Sequence, residues 1–126
     1  MLERVFQELR AIGMEPRIVD FPGFSISGQA IVLDIDVKHG RFKDKTVTLA
    51  LSFQEDAYPE YPPHFVHFKS SISTPIATRH STHDFEGENW SAYSLPPSDF
   101  WDGLKSSEKN MRTYYQRHLL RVLARL

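Results

Sequence analysis

The stretch Ile31–Val37, which reads IVLDIDV, decides the fold because apolar and polar side chains alternate along it. Successive side chains of a β-strand point to opposite faces, so this alternation predicts one buried and one solvated face. Residues 47–53 (VTLALSF) repeat the pattern after the polar segment 39–45, which contains the glycine that a turn needs. We therefore expect an antiparallel meander.

Helices are predicted on both sides of this meander. Apolar residues recur at three- and four-residue steps over residues 2–12, and Gly13 and Pro16 end that helix. A final helix is predicted over residues 107–126, after a short helix at residues 98–104. Its basic residues in the last turns suit the helix dipole.

Three other segments fall between these elements. A short strand is predicted around Phe24 and Ile26, and another over residues 64–68 (HFVHF). Residues 69–98 show no convincing periodicity, so we expect a long irregular loop that its aromatic side chains attach to the body.

The composition predicts one globular domain over residues 1–126. Fifteen Lys and Arg against sixteen Asp and Glu leave a net charge of −1, which argues against nucleic-acid binding. The apolar runs are far shorter than the roughly 20 residues of a membrane-spanning helix, and no signal peptide is recognisable. We expect a cytoplasmic protein with no membrane association. The chain has no Cys, which excludes disulfides, thiolate metal sites and a cysteine nucleophile.

The Pro-rich segment 53–68 reads FQEDAYPEYPPHFVHF. Its prolines lack a backbone N–H donor, so they lie outside a sheet ladder and form an extended turn. Together with the element order, this segment resembles the ubiquitin-conjugating (UBC, E2) superfamily, which carries a Y-P-x-x-P-P segment after its third strand. The residues that match are Tyr58, Pro59, Pro62, Pro63, Val66 and Phe68.

The resemblance implies an α+β, UBC-like fold. Its parts would be an N-terminal helix, an antiparallel meander sheet of about four strands, a long irregular active-site-type loop and C-terminal helices. It also implies a divergent, bacterial E2-like protein that binds a ubiquitin-like protein and an E1-like activating enzyme in a ubiquitin-like conjugation pathway. The implied binding residues are Tyr58, Pro62, Pro63, Trp90 and Tyr93, of which the last two would shape a groove for an extended tail.

The catalytic region departs from the family pattern because it contains no thiol. The candidates are Trp90, Ser91 and Ala92 for the nucleophile region, with His80, His83 and Asn89 as supporting proton acceptors and hydrogen-bond donor. No thioester can form on this chain. Two explanations stay open: the protein naturally lacks the cysteine, or a cysteine has been replaced at Ser91 or Ala92. Whether the protein is an enzyme stays open with them.

Two further interpretations belong to other classes. One is a non-catalytic interaction module of the UBC/RWD type that scaffolds a complex through its sheet or last helix. The other is a small metal-dependent enzyme built on His80 and His83, with Asp84 or Glu86 as a third ligand. A polar loop whose histidines bond to the backbone is the favoured interpretation of that spacing, so neither a metal nor a cofactor is predicted.

Overall fold

The computed structural model of this protein describes residues 1–21 and 28–126. The centre of the described part is one curled antiparallel sheet of six strands. The strands are β1 (Arg17–Asp20), β2 (Gln29–Asp36), β3 (Thr46–Ser52), β4 (Phe65–Lys69), β5 (Arg79–Phe85) and β6 (Glu88–Ser94). Their order across the sheet is β1-β2-β3-β4-β6-β5, so β1 and β5 form its two edges.

The alternating stretches of the sequence form the middle of this sheet. The predicted strands at 31–37, 47–53 and 64–68 correspond to β2, β3 and β4. Leu33 pairs with Leu49, and Leu51 pairs with Val66, so one register aligns the apolar side chains of all three strands on the same face. A slip by one residue would turn these side chains to the opposite face, which is why the alternation specifies the register.

The N-terminal helix α1 (Leu2–Ala11) packs its apolar stripe into the core through Leu2, Val5 and Leu9. Its end is fixed by Gly13, whose φ of +91° places it in the left-handed region. The Gly13 N–H bonds to the Arg10 carbonyl at 3.0 Å and the Met14 N–H bonds to the Leu9 carbonyl at 3.1 Å. This is a Schellman arrangement, and it confirms the predicted helix end.

The C-terminal part is a broken series of helical turns. Two 3₁₀ turns, Trp101–Gly103 and Ser106–Glu108, precede α2 (Met111–Tyr114), a π-helical turn (Tyr115–Leu119) and α3 (Leu120–Ala124). The last three join into one helical segment, 111–124, in place of the predicted helix 107–126. The π turn adds a residue to the repeat. Met111, Tyr114, His118 and Leu119 are buried on one face of this segment.

Two apolar clusters lie on the two faces of the sheet. The larger one joins the sheet to α1 and to the helical segment 111–124, and it includes Leu9, Leu33, Leu49, Leu51, Val66, Phe68, Trp101, Tyr114 and Leu123. The smaller one lies on the other face and comprises Phe21, Ala30, Val32, Ala50 and Trp90. The sheet thus has buried residues on both faces.

The predicted UBC-like fold is wrong. The described residues form a six-stranded sheet with one N-terminal helix and a short C-terminal helical segment, rather than about four strands with several C-terminal helices. The long irregular loop predicted for residues 69–98 contains the hairpin β5–β6.

Local chemistry explains why the hairpin is hard to recognise in the sequence. Strand β6 is buried on both faces from Trp90 to Tyr93, so its apolar residues do not alternate with exposed ones. Strand β5 is an edge strand of mostly polar residues. The turn between them is Glu86-Gly87, whose φ angles of +49° and +78° are those of the tight turn that suits a two-residue hairpin.

Strand β1 was not predicted, while the predicted strand around Phe24 and Ile26 lies outside the described residues. Within residues 1–21 and 28–126, no helix has the length and apolar character required to cross a membrane.

Candidate functional site

A mainly apolar groove lies between the Pro-rich turn and the segment that follows β6. We call it the proline groove. It is lined by Gln54, Glu55, Tyr61, Pro62, His64, Pro96, Ser98, Trp101 and Asp102. Its volume is about 220 Å³, below the roughly 300–1,000 Å³ of small-molecule sites. A groove of this size accommodates a large side chain of a binding partner better than a whole small-molecule substrate.

The two aromatic residues of the proline groove differ in exposure. Tyr61 is 50% exposed, whereas Trp101 is 1% exposed and belongs to the core. The indole N–H of Trp101 donates a hydrogen bond to the Pro59 carbonyl at 3.0 Å, which attaches the 3₁₀ turn Trp101–Gly103 to the Pro-rich turn. One wall of the groove is therefore fixed, and the Tyr61 side chain is accessible beside it.

The Pro-rich turn is also attached to the helices beneath it. The Tyr58 hydroxyl donates to Oε1 of Glu8, and the same oxygen accepts the backbone N–H of Met111 at 2.9 Å. Arg4 holds the other oxygen of this carboxylate at 2.9 Å. Burial, and next the hydrogen bond and charge of Glu8, raise the pKa of the Tyr58 hydroxyl above its usual value. Tyr58 therefore stays a neutral donor that positions the turn.

Charge at the proline groove is of one sign. Glu55 and Asp102 contribute carboxylates to its lining, and no Lys or Arg is among the described residues that line it. Asp56 and Glu60 are exposed in the same Pro-rich turn. His64 also lines the groove: its Nε2 lies 2.8 Å from the Ser94 hydroxyl, and burial lowers the pKa of its imidazole. The charged side chains of the groove lining are thus acidic.

Histidines also cluster on the face of the sheet that carries the smaller apolar cluster. Nε2 of the buried His67 lies 2.7 Å from the hydroxyl of Ser52, and its ring is 5.2 Å from that of His83. Burial, followed by the neighbouring His83, lowers the pKa of His67 to about 3. Ser52 and His67 are each 0% exposed. This serine–histidine pair therefore lies inside the sheet, with the Ser52 hydroxyl closed to solvent.

The predicted nucleophile region lies inside the sheet. Trp90, Ser91 and Ala92 are 3%, 1% and 0% exposed, and they occupy β6 between β4 and β5. The Ser91 hydroxyl lies 2.8 Å from that of Ser70. An acyl group from a partner could not reach this position without opening the sheet.

Two of the predicted supporting residues lie beside that region: Oδ1 of Asn89 accepts a hydrogen bond from the Ser70 hydroxyl, which is also bonded to Ser91, and His83 pairs with Trp90 in the sheet. His80 is exposed and its Nδ1 lies 3.0 Å from the Ser81 hydroxyl. The Asn89 amide donates to the Asp84 carboxylate at 3.1 Å, next to the turn of the hairpin. His83 is half-buried, and burial lowers the pKa of its imidazole.

The side chains of His80 and His83, whose spacing suggested a metal site, lie against residues of β4. The register shift between Arg79 and Ser81 lets both rings contact β4: His80 lies 5.0 Å from Phe65, and His83 lies against His67. In the part of the chain that the structure describes, no group of three or more His, Cys, Asp or Glu side chains is placed to hold a metal ion.

Of the predicted binding residues, Pro62 lines the proline groove. Tyr58, Pro63, Trp90 and Tyr93 are buried and serve the core or the turn beneath the groove. Sequence reasoning missed Tyr61, Pro96 and the acidic residues of the lining. One signal could have found Tyr61: it is an aromatic residue flanked by Glu60 and Pro62 in a segment that cannot join the sheet ladder.

Comparison of the chain with models of known protein families, with curated proteins and with solved structures gave no match. These comparisons neither support nor refute the resemblance to the ubiquitin-conjugating superfamily.

Proposed function

We propose that this chain is a non-catalytic protein-binding module that takes an extended segment of a partner protein in the proline groove. The observation that carries the proposal is the half-exposed Tyr61 beside the fixed wall of Trp101 and Pro62. Grooves lined by aromatic side chains are the sites at which several domains bind extended, proline-rich peptides. Tyrosine is also enriched at protein interfaces, because it buries a large ring and keeps a polar hydroxyl.

Two further observations support binding over catalysis. The residues in the predicted nucleophile region are buried in an interior strand, and the pair of Ser52 and His67 is buried as well. In contrast, the proline groove is open and attached to α1 and α2 through Tyr58 and Glu8. A preformed groove lowers the entropic cost of binding, because few of its side chains have to be ordered.

The partner class is a separate proposal, and it rests on the sequence resemblance alone. That resemblance suggests a ubiquitin-like protein with an extended C-terminal tail, or its E1-like activating enzyme. Titration of the chain with ubiquitin-like proteins of the source organism, intact and without their tails, tests this class. Binding that is lost with the tail supports it, and binding by neither form contradicts it.

Selection of peptides tests the groove itself without a known partner. A library of random short peptides displayed on phage is selected on the wild-type chain, and each enriched peptide is then tested on Tyr61→Ser. We expect peptides whose binding is lost in Tyr61→Ser but retained in Ile18→Ser, which changes an exposed apolar side chain of the edge strand β1. If no enriched peptide depends on Tyr61 in this way, the proposed function is wrong.

A further inference from the structure

We propose that the segment taken by the proline groove is basic, with an apolar or aromatic side chain flanked by Lys or Arg. This inference rests on the proposed function and adds the chemistry of the partner. The apolar side chain of the proposed partner segment is inferred from the groove lining, which is mainly apolar and includes Tyr61, Pro62 and Pro96.

The Lys and Arg residues of the proposed partner segment are inferred from the charge of the groove lining. Glu55 comes from the segment after β3 and Asp102 comes from the 3₁₀ turn Trp101–Gly103, so two separate segments each bring a carboxylate to the same groove. Among the described residues, neither carboxylate forms an ion pair. The chain as a whole has nearly equal numbers of cations and anions. The acidic lining is thus a local property, and it favours a cationic partner over an anionic one.

The neighbouring surface indicates which way the cationic residues of the partner point. Pro96 and Ser98 also line a second depression, on the side of the C-terminal helical segment, that contains Arg121 and Arg125. Arg121 pairs there with Asp99 at 3.2 Å. The segment 95–98 therefore separates an acidic groove from a basic one. Lys or Arg residues of the partner belong on the side of Glu55 and Asp102, where they avoid the two arginines.

The two tryptophans of the chain can report whether a peptide occupies the proline groove. Trp101 lines the proline groove, whereas Trp90 is buried in the smaller cluster on the other face of the sheet. In ¹⁵N-labelled protein we expect one indole N–H signal for each tryptophan. A peptide in the groove shifts the signal of Trp101 and leaves that of Trp90 in place.

The experiment uses the Tyr61-dependent peptide with the tightest binding from the phage selection. It is synthesised as selected, with every Lys and Arg changed to Gln, and with every Lys and Arg changed to Glu. We expect the selected peptide to bind about fivefold or more tightly than the Gln form, because two exposed charge pairs contribute about 0.5 kcal/mol each. The Glu form should bind more weakly still, and added salt should reduce the difference between the three peptides.

A variant with reversed charge in the groove gives the matched test. In the double variant Glu55→Lys with Asp102→Lys, the order of binding strength of the three peptides should reverse, so that the Glu form binds best. In the control, Glu88→Lys, the order should stay as in the wild type. Glu88 begins β6 and is thus at the far end of that strand from Pro96, and its exposed ion pair with Lys69 contributes little to stability.

The outcomes separate the two proposals. Equal binding of the three peptides, or Tyr61-dependent peptides with no excess of Lys and Arg, overturns the basic partner and leaves the proposed function standing. A selection without any Tyr61-dependent peptide overturns both. If the double variant has lost its native circular dichroism, the single variants Glu55→Gln and Asp102→Asn carry the test, and each should reduce the preference for the basic peptide.

Discussion

Oε1 of Glu8 accepts the backbone N–H of Met111 at 2.9 Å, although the two residues are 103 positions apart in the chain. The same oxygen accepts the hydroxyl of Tyr58. One carboxylate on α1 therefore joins the Pro-rich turn to the first residue of α2. Tyr61 and Pro62 of the same Pro-rich turn line the groove that the partner would occupy, so a contact between segments far apart in the chain supports one of its walls.

We expect Glu8→Ala to lower the free energy of unfolding by about 2–4 kcal/mol. The substitution removes hydrogen bonds to a charged acceptor and leaves the Met111 N–H without its partner, at about 1.5–3 kcal/mol for each such bond. Tyr58→Phe should cost less, because the ring remains packed against Phe53. Urea unfolding of both variants and of the double variant measures the coupling between them.

The double variant should be more stable than the sum of the single losses predicts, by about 1 kcal/mol or more. Glu3→Ala is the control, since Glu3 is an exposed residue of the same helix. Additive losses for Glu8 and Tyr58 would show that their hydrogen bond does not support the turn.

We expect the free energy of unfolding to decrease as the pH falls from about 6.5 towards 3. The pKa of His67 is lowered to about 3 in the folded chain, mainly by burial. In the unfolded chain it returns to about 6.5, so between these values the unfolded state binds the additional proton. The contribution of one such histidine is about 1.4 kcal/mol per pH unit.

The variant His67→Gln identifies the source of this slope. It should be less stable than the wild type at pH 7 but should lose less stability per pH unit between pH 6 and pH 4. His39→Gln, an exposed histidine of the β2–β3 turn, is the matched control. An unchanged slope in His67→Gln would assign the acid sensitivity to other groups, such as His83 and His118, whose pKa values burial also lowers.

Gly40 should tolerate no side chain. A Cβ atom at this position would lie 2.1 Å from the carbonyl oxygen of Ala124, and its φ is +90°. We expect Gly40→Ala to lower the free energy of unfolding by about 2–4 kcal/mol, from the close contact together with left-handed strain.

The variant Gly87→Ala separates the cost of the close contact from the cost of left-handed strain. Gly87 has a φ of +78° but nothing lies within 4 Å of its Cβ position, so strain alone should cost about 1–2 kcal/mol. Chemical unfolding of both variants makes the comparison. Equal losses would mean that the end of α3 moves away from the turn at little cost.

A cysteine placed in the predicted nucleophile region should be unreactive. In Ser91→Cys the thiol would be buried in β6, whereas in Thr82→Cys, on the partner strand, it would be exposed. We expect a thiol reagent such as 5,5′-dithiobis(2-nitrobenzoic acid) to label the Thr82 variant at once and the Ser91 variant only after unfolding. Rapid labelling of a folded Ser91 variant would contradict the buried position of this region and would reopen catalysis as a function.

The parts of the fold that the sequence predicts are those with a clear periodicity. Strands β2 and β3 alternate over seven or so residues, and α1 has a regular stripe that ends at a glycine. The hairpin β5–β6 has no such periodicity, because the apolar pattern of a strand depends on which of its faces the rest of the protein buries. Ser91 is buried by tertiary contacts that its own sequence neighbours do not indicate.

The candidate site was predictable in part for the same reason. Because proline cannot donate a hydrogen bond to a sheet ladder, the sequence alone places Pro62 in a turn at the surface. Whether Tyr61 or Tyr58 faces outward depends on Glu8, which lies on another element and binds Tyr58. The acidic lining needs Glu55 and Asp102 to meet in space, and no spacing in the sequence brings them together.

The position of β6 between β4 and β5 has a consequence during synthesis on the ribosome. Strand β4 is complete before any residue of β6 exists, so one of its edges lacks hydrogen-bonding partners in the nascent chain. Phe65, Val66 and Phe68 of that strand are buried in the finished protein. An apolar strand with a free edge pairs readily with other chains. We therefore expect the growing polypeptide to be prone to aggregation until the hairpin closes over β4.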